Sequence, residues 1–547
     1  MIKKLLLVYI LFFSIVGFSQ EEHAWVFFNN KENVDTYLAN PLTMLTQRAI
    51  DRRTNQGISL DYTDVPITPS NITEIESATG ITVKAKSKWL NALHVTGIQS
   101  DINSLLSLSF VDHIEYANDD LNTGGRFSGA NSASNRITNK FASEQAVNTV
   151  FDYGSAVNQI QMFNGHKLHE QNFTGSGMLI AVLDAGFPNV DINPGFQRIR
   201  DNNQIKGGYD FVNRNSNFYV SNSHGAHVLS DIAGYLEGQF VGTAPDADFY
   251  LFITEDVASE TPAEESYWVE AIEEADRLGV DIVNSSLGYT FYDNTAYNYD
   301  YNIDLTGANS FISRGATLAA SKGMIVVNSA GNYGSYAAWG GRVSMPADVE
   351  TVLSIGAVNA SGNYASFSSK GPTSDNRIKP DVSVQGQAAY IINTSGAVAT
   401  SNGTSFSSPI LAGGVACLWQ ALPSLTSAQI MQLVKESASI YSSPNYELGY
   451  GIPNLELALN NALTVSEFQK NTFSVYPNPV QDLLYLNFPT GIYTAEMDCY
   501  DILGKKIFSK NIHAQKNTVT FNNLSSGIYF VKIKSEKSTQ TFKIVKE

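Results

Sequence analysis

Met178-Leu179-Ile180-Ala181-Val182-Leu183-Asp184-Ala185-Gly186 is the stretch on which the fold turns. Its apolar run has no polar alternation, which suits a strand covered on both faces. The run stops at an acid and a small-residue turn. Four more short apolar runs follow, at Phe249–Ile253, Asp281–Val283, Met324–Val327 and Val352–Ile355. Helical stretches lie between them. One is framed by Thr261 as N-cap, Pro262 at the first helical position, Glu264 completing a capping box and Gly279 past the last turn. Another runs from about Asn309 to Lys322 and stops at Gly323. Alternating strands and helices predict an α/β domain over about 155–462, with a parallel sheet covered by helices on both faces.

In an open parallel sheet, chemistry sits at the carboxyl ends of the strands. Three of the runs deliver Asp184-Ala185-Gly186, Asn284-Ser285-Ser286-Leu287-Gly288 and Asn328-Ser329-Ala330-Gly331-Asn332. Two helix starts join them. One is Asn222-Ser223-His224-Gly225-Ala226-His227-Val228, and the other is Asn402-Gly403-Thr404-Ser405-Phe406-Ser407-Ser408-Pro409. A serine at a helix N-terminus lies beside free backbone N–H groups and the positive end of the helix dipole. Those groups can hold an oxyanion that develops next to it. A serine hydroxyl becomes a nucleophile at neutral pH when an imidazole takes its proton and a carboxylate orients the imidazole. Asp184, His224 and Ser405 supply the three groups in that chain order, and Asn332 supplies an amide donor. The chymotrypsin order begins with His, and the chain has no G-x-S-x-G elbow. His227, one turn after His224, reads as a packing residue.

The wider composition narrows the class. The chain has 547 residues, 43% of them hydrophobic and 16% charged, enough for three or four domains with sizeable cores. A net charge of −17 argues against nucleic acid or anionic lipid as the main partner. Cys417 and Cys499 exclude a disulfide scaffold and a Cys-based zinc site, and read as buried free thiols.

The N-terminus reads as an address. Lys3 and Lys4 precede the apolar stretch Leu5–Val16, and Gly17 and Ser19 suit a cut before Gln20. Residues 1–19 are thus a secretory signal peptide. No later stretch is long and apolar enough to span a membrane, so the mature chain is expected to be exported without a membrane span. Residues 20–117 alternate strand-like segments (His23–Phe28, Ile81–Gly97) with helical ones (Leu42–Arg53, Ile72–Ala78, Asp101–Leu106), predicting a small α+β domain. Residues 118–154 are mostly polar and read as a linker with a processing site. Residues 463–470 read as a second linker. Residues 471–547 carry seven short strand signals, predicting a small all-β sandwich. From 470 onward ten Lys face six Asp or Glu, reversing the sign of the charge.

With these motifs in place, residues 155–462 resemble a subtilisin-like serine peptidase of the S8 family. The carrying residues are Asp184-Ala185-Gly186, His224–Val228, Asn328–Asn332 and Gly403–Pro409, together with Phe367-Ser368-Ser369-Lys370-Gly371-Pro372 and Lys379-Pro380-Asp381-Val382. Ala226 and Ser407 depart from the family's usual Thr and Ala. Residues 24–117 resemble the family's inhibitor-type propeptide. Residues 471–547 resemble the type A sorting domain of the type IX secretion system, through Val475-Tyr476-Pro477-Asn478-Pro479, Tyr500–Lys505 and Leu524–Tyr529. The resemblance implies a secreted serine endopeptidase acting on protein and peptide substrates. It would be exported through the periplasm to the medium or cell surface, with its own propeptide and the type IX machinery as partners. It also implies that Ser286-Leu287-Gly288 and Ser329-Ala330-Gly331 line the S1 pocket, with Ser344-Met345-Pro346 near its floor.

No cofactor is needed for such chemistry. Family members often bind structural Ca²⁺, and Asp293, Asp300 and Asp304 have the right oxygen chemistry. Their spacing fits no calcium motif, so they read as a solvated loop and the metal assignment stays open. The tract Tyr289–Gly307 is expected to shape a wall of the cleft. The competing class is a binding or adhesion protein built on an inactive peptidase fold.

Overall fold

A computed structural model describes residues 21–122, 151–470, 473–489, 491–536 and 539–547. The leader 1–19 and residues 123–150 of the first linker lie outside the described residues. The chain divides into two compact units between Ala458 and Leu459.

At the centre of the first unit is a seven-stranded sheet. Its order is Val382–Gln385, Leu353–Val358, Ile325–Ser329, Ile282–Ser285, Leu179–Asp184, Asp248–Ile253 and Ile205–Asp210. Every neighbouring pair is parallel. All five apolar runs are strands of this sheet. Sequence reading missed its two edges. Ile205–Asp210 is half-exposed and carries Gly207 and Gly208 in place of an apolar run, while Val382–Gln385 is four residues long and half polar.

The helices fall close to expectation. Ala263–Leu278 begins after Pro262, and Gly279 closes it at φ 84°. Only half of the capping box forms. Glu264 accepts from the backbone N–H of Thr261 at 2.9 Å, but the Thr261 side chain does not cap, because the helix starts past Pro262. Phe311–Ser321 is capped by the Ser310 side chain. Thr404–Ala421 is buried from Thr404 to Trp419, as a helix apolar all round should be.

The N-terminal segment of this unit is a four-stranded antiparallel sheet ordered Thr82–Ser87, Ala92–Ile98, Glu21–Phe28 and Val111–Tyr116. Ile81–Gly97 is thus a hairpin of two strands, and Val111–Tyr116 is a strand the sequence reading left out. Period-two alternation gives Glu21–Phe28 two working faces. Ala24, Val26 and Phe28 pack with Ile75, Ile102 and Leu93 of their own segment. Trp25 and Phe27 turn the other way, into the core that contains Trp268, Phe311 and Val326. Trp25 stacks on Phe311 with ring centroids 5.0 Å apart and donates its indole N–H to the Ser266 hydroxyl at 2.8 Å.

Within the tract Tyr289–Gly307, Asp293 and Asp300 are exposed, as expected of a solvated loop, whereas Asp304 is buried. Tyr289, Tyr292, Tyr297, Tyr299 and Leu305 are buried. The Tyr299 hydroxyl donates to the Glu265 carboxylate at 2.7 Å, and Tyr292 reaches the same oxygen. Buried phenols paired with carboxylates let a polar-looking sequence join a core.

The helix Leu455–Lys470 runs through 463–470, the stretch read as a linker; it contains no Gly or Pro to stop it. In the second unit, all seven expected strands form. They make two antiparallel sheets, one of Ser474–Tyr476, Leu483–Asn487 and Thr518–Thr520, the other of Lys506–His513, Thr494–Asp501, Gly527–Lys534 and Thr539–Lys546. Leu484, Leu486, Met497, Cys499, Val531 and Ile533 share one core. Cys417 and Cys499 are both free and buried.

Candidate active site

Asp184 is the last residue of its strand and is fully buried. Its Oδ1 accepts from the Ala185 N–H at 2.7 Å and meets His224 Nδ1 at 2.8 Å. Among the described residues, its buried Oδ2 has no hydrogen-bond partner. His224 is the first residue of the helix His224–Ala233, and its backbone N–H donates to Asn222 Oδ1 at 2.9 Å. The next residue must be glycine. A Cβ at Gly225 would lie 2.4 Å from the Gly186 carbonyl oxygen and 2.8 Å from Asp184 Cβ. Burial pulls the imidazole pKa down. The Asp184 charge and hydrogen bond, with help from Glu255, outweigh burial and leave it above its ordinary 6.5.

Ser405 is the second residue of the helix Thr404–Ala421. Pro409, four residues on, has no N–H to offer the Ser405 carbonyl. The Ser286 hydroxyl takes that place, donating to the Ser405 carbonyl at 2.8 Å. The Ser405 hydroxyl itself donates to the Ser286 carbonyl at 3.4 Å, not to His224. Phe406 packs its ring against the His224 imidazole, centroids 5.9 Å apart. The Ser407 hydroxyl donates to the Thr404 carbonyl at 3.0 Å, so this departure from the family pattern is satisfied within the helix.

Asn332 sits past the end of the strand Ile325–Ser329. Its Oδ1 accepts from the Thr404 N–H at 2.9 Å and the Thr404 hydroxyl at 3.1 Å. That fixes which end of the amide is left to donate. A Cβ on Gly403 would stand 3.6 Å from both Asn332 Nδ2 and the Ser405 backbone nitrogen. Both donors therefore border the space that Gly403 leaves free.

The residues expected to line a pocket divide. A Cβ at Gly288 would meet the Ser344 hydroxyl oxygen at 2.0 Å, and one at Gly331 would meet it at 2.9 Å. That hydroxyl is buried and has no hydrogen-bond partner among the described residues. Ser286, Leu287 and Gly288 lead into Tyr289, which exchanges backbone hydrogen bonds with Met345 at 3.0 and 3.3 Å. Ser329 and Ala330 are buried at the strand end, Ala330 against Val343 and Ala347.

The three acids considered for calcium have local partners. Asp293 accepts from the Glu260 N–H at 3.0 Å, Asp304 from the Asp300 N–H at 2.8 Å, and Asp300 from the Asn302 N–H at 2.8 Å. Among the described residues, no group of three or more His, Cys, Asp or Glu could hold a metal ion.

Sequence reasoning missed Thr404 as the anchor of Asn332. It also missed Glu255, whose carboxyl accepts from the Tyr289 hydroxyl beside the site. Glu255 directly follows the Thr that ends an apolar run, and the strand-end rule would have reached it.

Comparison with known proteins bears on all three segments. The Subtilase family model matches residues 175–451. A Peptidase S8 propeptide domain model from Bacteroidota matches 23–136, and a Secretion system C-terminal sorting domain model matches 474–547. Subtilisin from Bacillus pumilus is 30% identical over 303 residues, 55% of this chain and 97% of that protein. Subtilisin E from Bacillus subtilis (strain 168) is 31% identical over 303 residues, 55% of this chain and 70% of that protein. Among solved structures, MycP1 from Mycobacterium smegmatis aligns at 22% identity with a TM-score of 0.44, covering 59% of this chain and 89% of that one. With a family model spanning the whole parallel sheet and the helix that bears Ser405, the chain belongs to the subtilase family and is a serine endopeptidase.

Proposed function

We propose that this chain is a secreted endopeptidase in which Ser405 is the nucleophile, His224 the general base, Asp184 the orienting carboxylate and Asn332 an oxyanion donor. The observation that carries the reading is the 2.8 Å bond between His224 Nδ1 and Asp184 Oδ1, beside a serine at the start of a buried helix. That bond selects the tautomer in which Nδ1 carries the proton and Nε2 is free to accept another. Ser405 Oγ leaves the Ser286 carbonyl, gives its proton to Nε2 and attacks the peptide carbonyl carbon. Negative charge moves onto the carbonyl oxygen, where Asn332 Nδ2 and the Ser405 N–H donate to it. The imidazolium then protonates the leaving amine, and water, activated in the same way, hydrolyses the acyl-enzyme. Ser286, Leu287, Gly288, Ser329, Ala330 and Gly331 frame the pocket for the residue before the cut, with Gly288, Gly331 and Ser344 at its narrowest part.

The rest of the chain serves delivery. Residues 1–19 address the chain for export. Residues 20–117 dock on the peptidase domain 155–462 and leave after cleavage within 118–154. Residues 471–547, with 463–470 before them, direct passage through the type IX machinery to the medium or cell surface. The test is labelling by a fluorophosphonate probe: the processed wild-type chain should be labelled and Ser405→Ala should not. Labelling that survives in Ser405→Ala would end the assignment. The inactive-fold alternative predicts no labelling of either protein.

A further inference from the structure

Asp184 stands on the strand Leu179–Asp184, and the loops after its two neighbours close over its carboxyl end. On one side, Asp248–Ile253 pairs with it in register Asp184↔Ile253, and the Thr254 N–H continues the ladder to the Asp184 carbonyl at 3.1 Å. On the other side, Ile282–Ser285 pairs in register Leu183↔Ser285 and runs on through Ser286, Leu287 and Gly288 to Tyr289. Glu255 belongs to the first loop and Tyr289 to the second. The Tyr289 hydroxyl donates to Glu255 Oε1, so a single hydrogen bond crosses the end of the strand that carries Asp184.

The bond is well placed to hold things still. Tyr289 is 1% exposed. Its two backbone bonds to Met345 fasten a third loop, the one that brings Ser344 against Gly288 and Gly331. The nearby acids differ in their partners. Glu264 is occupied by the Thr261 and Asp256 N–H groups, and Glu265 by the Ile312 N–H and two phenols. Among the described residues, Glu255 accepts from hydroxyls only, Tyr289 and, at 3.3 Å, Thr254.

We propose that Glu255 is a positioning residue for peptide hydrolysis, acting through Tyr289 to hold the Ser286–Gly288 segment in register with the Asp184–His224 pair. The proposal rests on the triad reading above. It extends that reading to a carboxyl group that touches neither the substrate nor the imidazole.

The surroundings give the tie a pH signature. Facing Glu255 are Asp184 from its strand end, His224 from its helix start, Glu260 and Glu264 from the following loop and helix, and Tyr289 from across the sheet. Asp256 bears on Glu264 through its N–H, and Asp293 on Glu260. Burial and the charges of Glu260 and Asp184 outweigh the Tyr289 bond and push the Glu255 carboxyl up to about 8. Below that pH the bridge is neutral. Above it a carboxylate faces His224 and favours the imidazolium that forms when Ser405 loses its proton.

The experiment measures kcat and KM on a chromogenic peptide, per site titrated with a fluorophosphonate, from about pH 6 to about pH 10, with the full chain processed as in the wild type. The variants are Tyr289→Phe, Glu255→Ala, Glu255→Gln and Ser405→Ala. Tyr289→Phe and Glu255→Ala should each lower kcat/KM on the order of 10-fold, with a raised KM, as expected when a cleft wall shifts. Glu255→Gln can still accept from Tyr289. It should recover most of the Glu255→Ala loss and lack the inflection near pH 8. Tyr289→Phe with wild-type kcat/KM and an unaltered pH profile would overturn the proposal, as would Glu255→Gln no better than Glu255→Ala. Site titration separates this from the triad reading. A Ser405→Ala protein that still labels refutes the triad, whereas normally labelled variants with wild-type kinetics refute the tie alone.

Discussion

Glu273 of the peptidase helix and Ser87 of the propeptide segment share a 2.6 Å hydrogen bond in a buried turn. The same carboxylate accepts from the backbone N–H groups of Lys88 at 2.9 Å and Trp89 at 3.0 Å. One catalytic-domain side chain thus holds three consecutive residues of the segment that is proposed to leave after processing.

Burial raises the Glu273 carboxyl to about 7, against the pull of Lys88 and its three donors. A raised carboxyl binds its proton more tightly when docked, so its contribution is full below about 4.5 and is lost as pH rises through about 7. His23 and His94 act in the opposite sense. They meet at 2.9 Å, and burial lowers both, His23 to about 4, so protonation below about 6.5 opposes docking. Inhibition of processed enzyme by added segment 21–122 should therefore weaken on both sides of a middle pH. Glu273→Gln should flatten the alkaline arm alone; an alkaline arm that persisted would contradict the assignment.

Arg53 is buried between two buried acids, Asp64 of its own segment at 2.7 Å and Asp276 of the peptidase helix at 2.6 Å. Arg53→Ala removes one of two cations from each acid, leaving Asp276 with Arg52 and Asp64 with Lys322. It should cost about 1–3 kcal/mol of docking or folding, read as a lower yield of processed enzyme or a higher inhibition constant of the segment.

Asn332→Leu should lower kcat by roughly 10²–10³ and leave KM nearly unchanged. Thr404→Val removes one of the two donors that orient the Asn332 amide and should give a smaller loss of the same kind. If Asn332→Leu changed KM instead, its amide would be holding substrate rather than an oxyanion.

The acid limb of kcat/KM should reflect deprotonation of His224. Its pKa is raised, so the limb should lie above the ordinary 6.5. Asp184→Asn withdraws the main raising influence and should move the limb down while cutting kcat on the order of 10⁴. A limb that ignored Asp184→Asn would belong to another group.

Truncation after Ala462 should leave catalysis intact and export impaired, read as activity retained in cells and lost from the medium. Wild-type export of the truncated chain without lysis would remove the sorting role from 471–547.

The central strands were readable because they are buried on both faces and so spell themselves as apolar runs. The candidate site stood out in the sequence because Asp184, Asn332, His224 and Ser405 all sit at element ends, where turn and cap residues interrupt the pattern. Ile205–Asp210 was hidden because an edge strand needs no second apolar face. The partner of Tyr292 and Tyr299 was hidden because Glu265 lies outside any local window around them. Thr404 holding Asn332 was equally out of reach, because that contact joins residues 72 positions apart.

The two-faced strand Glu21–Phe28 has a consequence for the order of events. While it is in place, Trp25 and Phe27 complete a core that the peptidase domain shares. Under the proposed processing, cutting its covalent link would release a sheet with one bare oily side and leave Phe311 facing water. Neither piece then matches the surface on which it was assembled, and the detached piece is itself a peptide chain within reach of a peptidase. Departure under that proposal would act as a ratchet: each molecule would get one chance to be shaped by its template, and the template would be consumed after use.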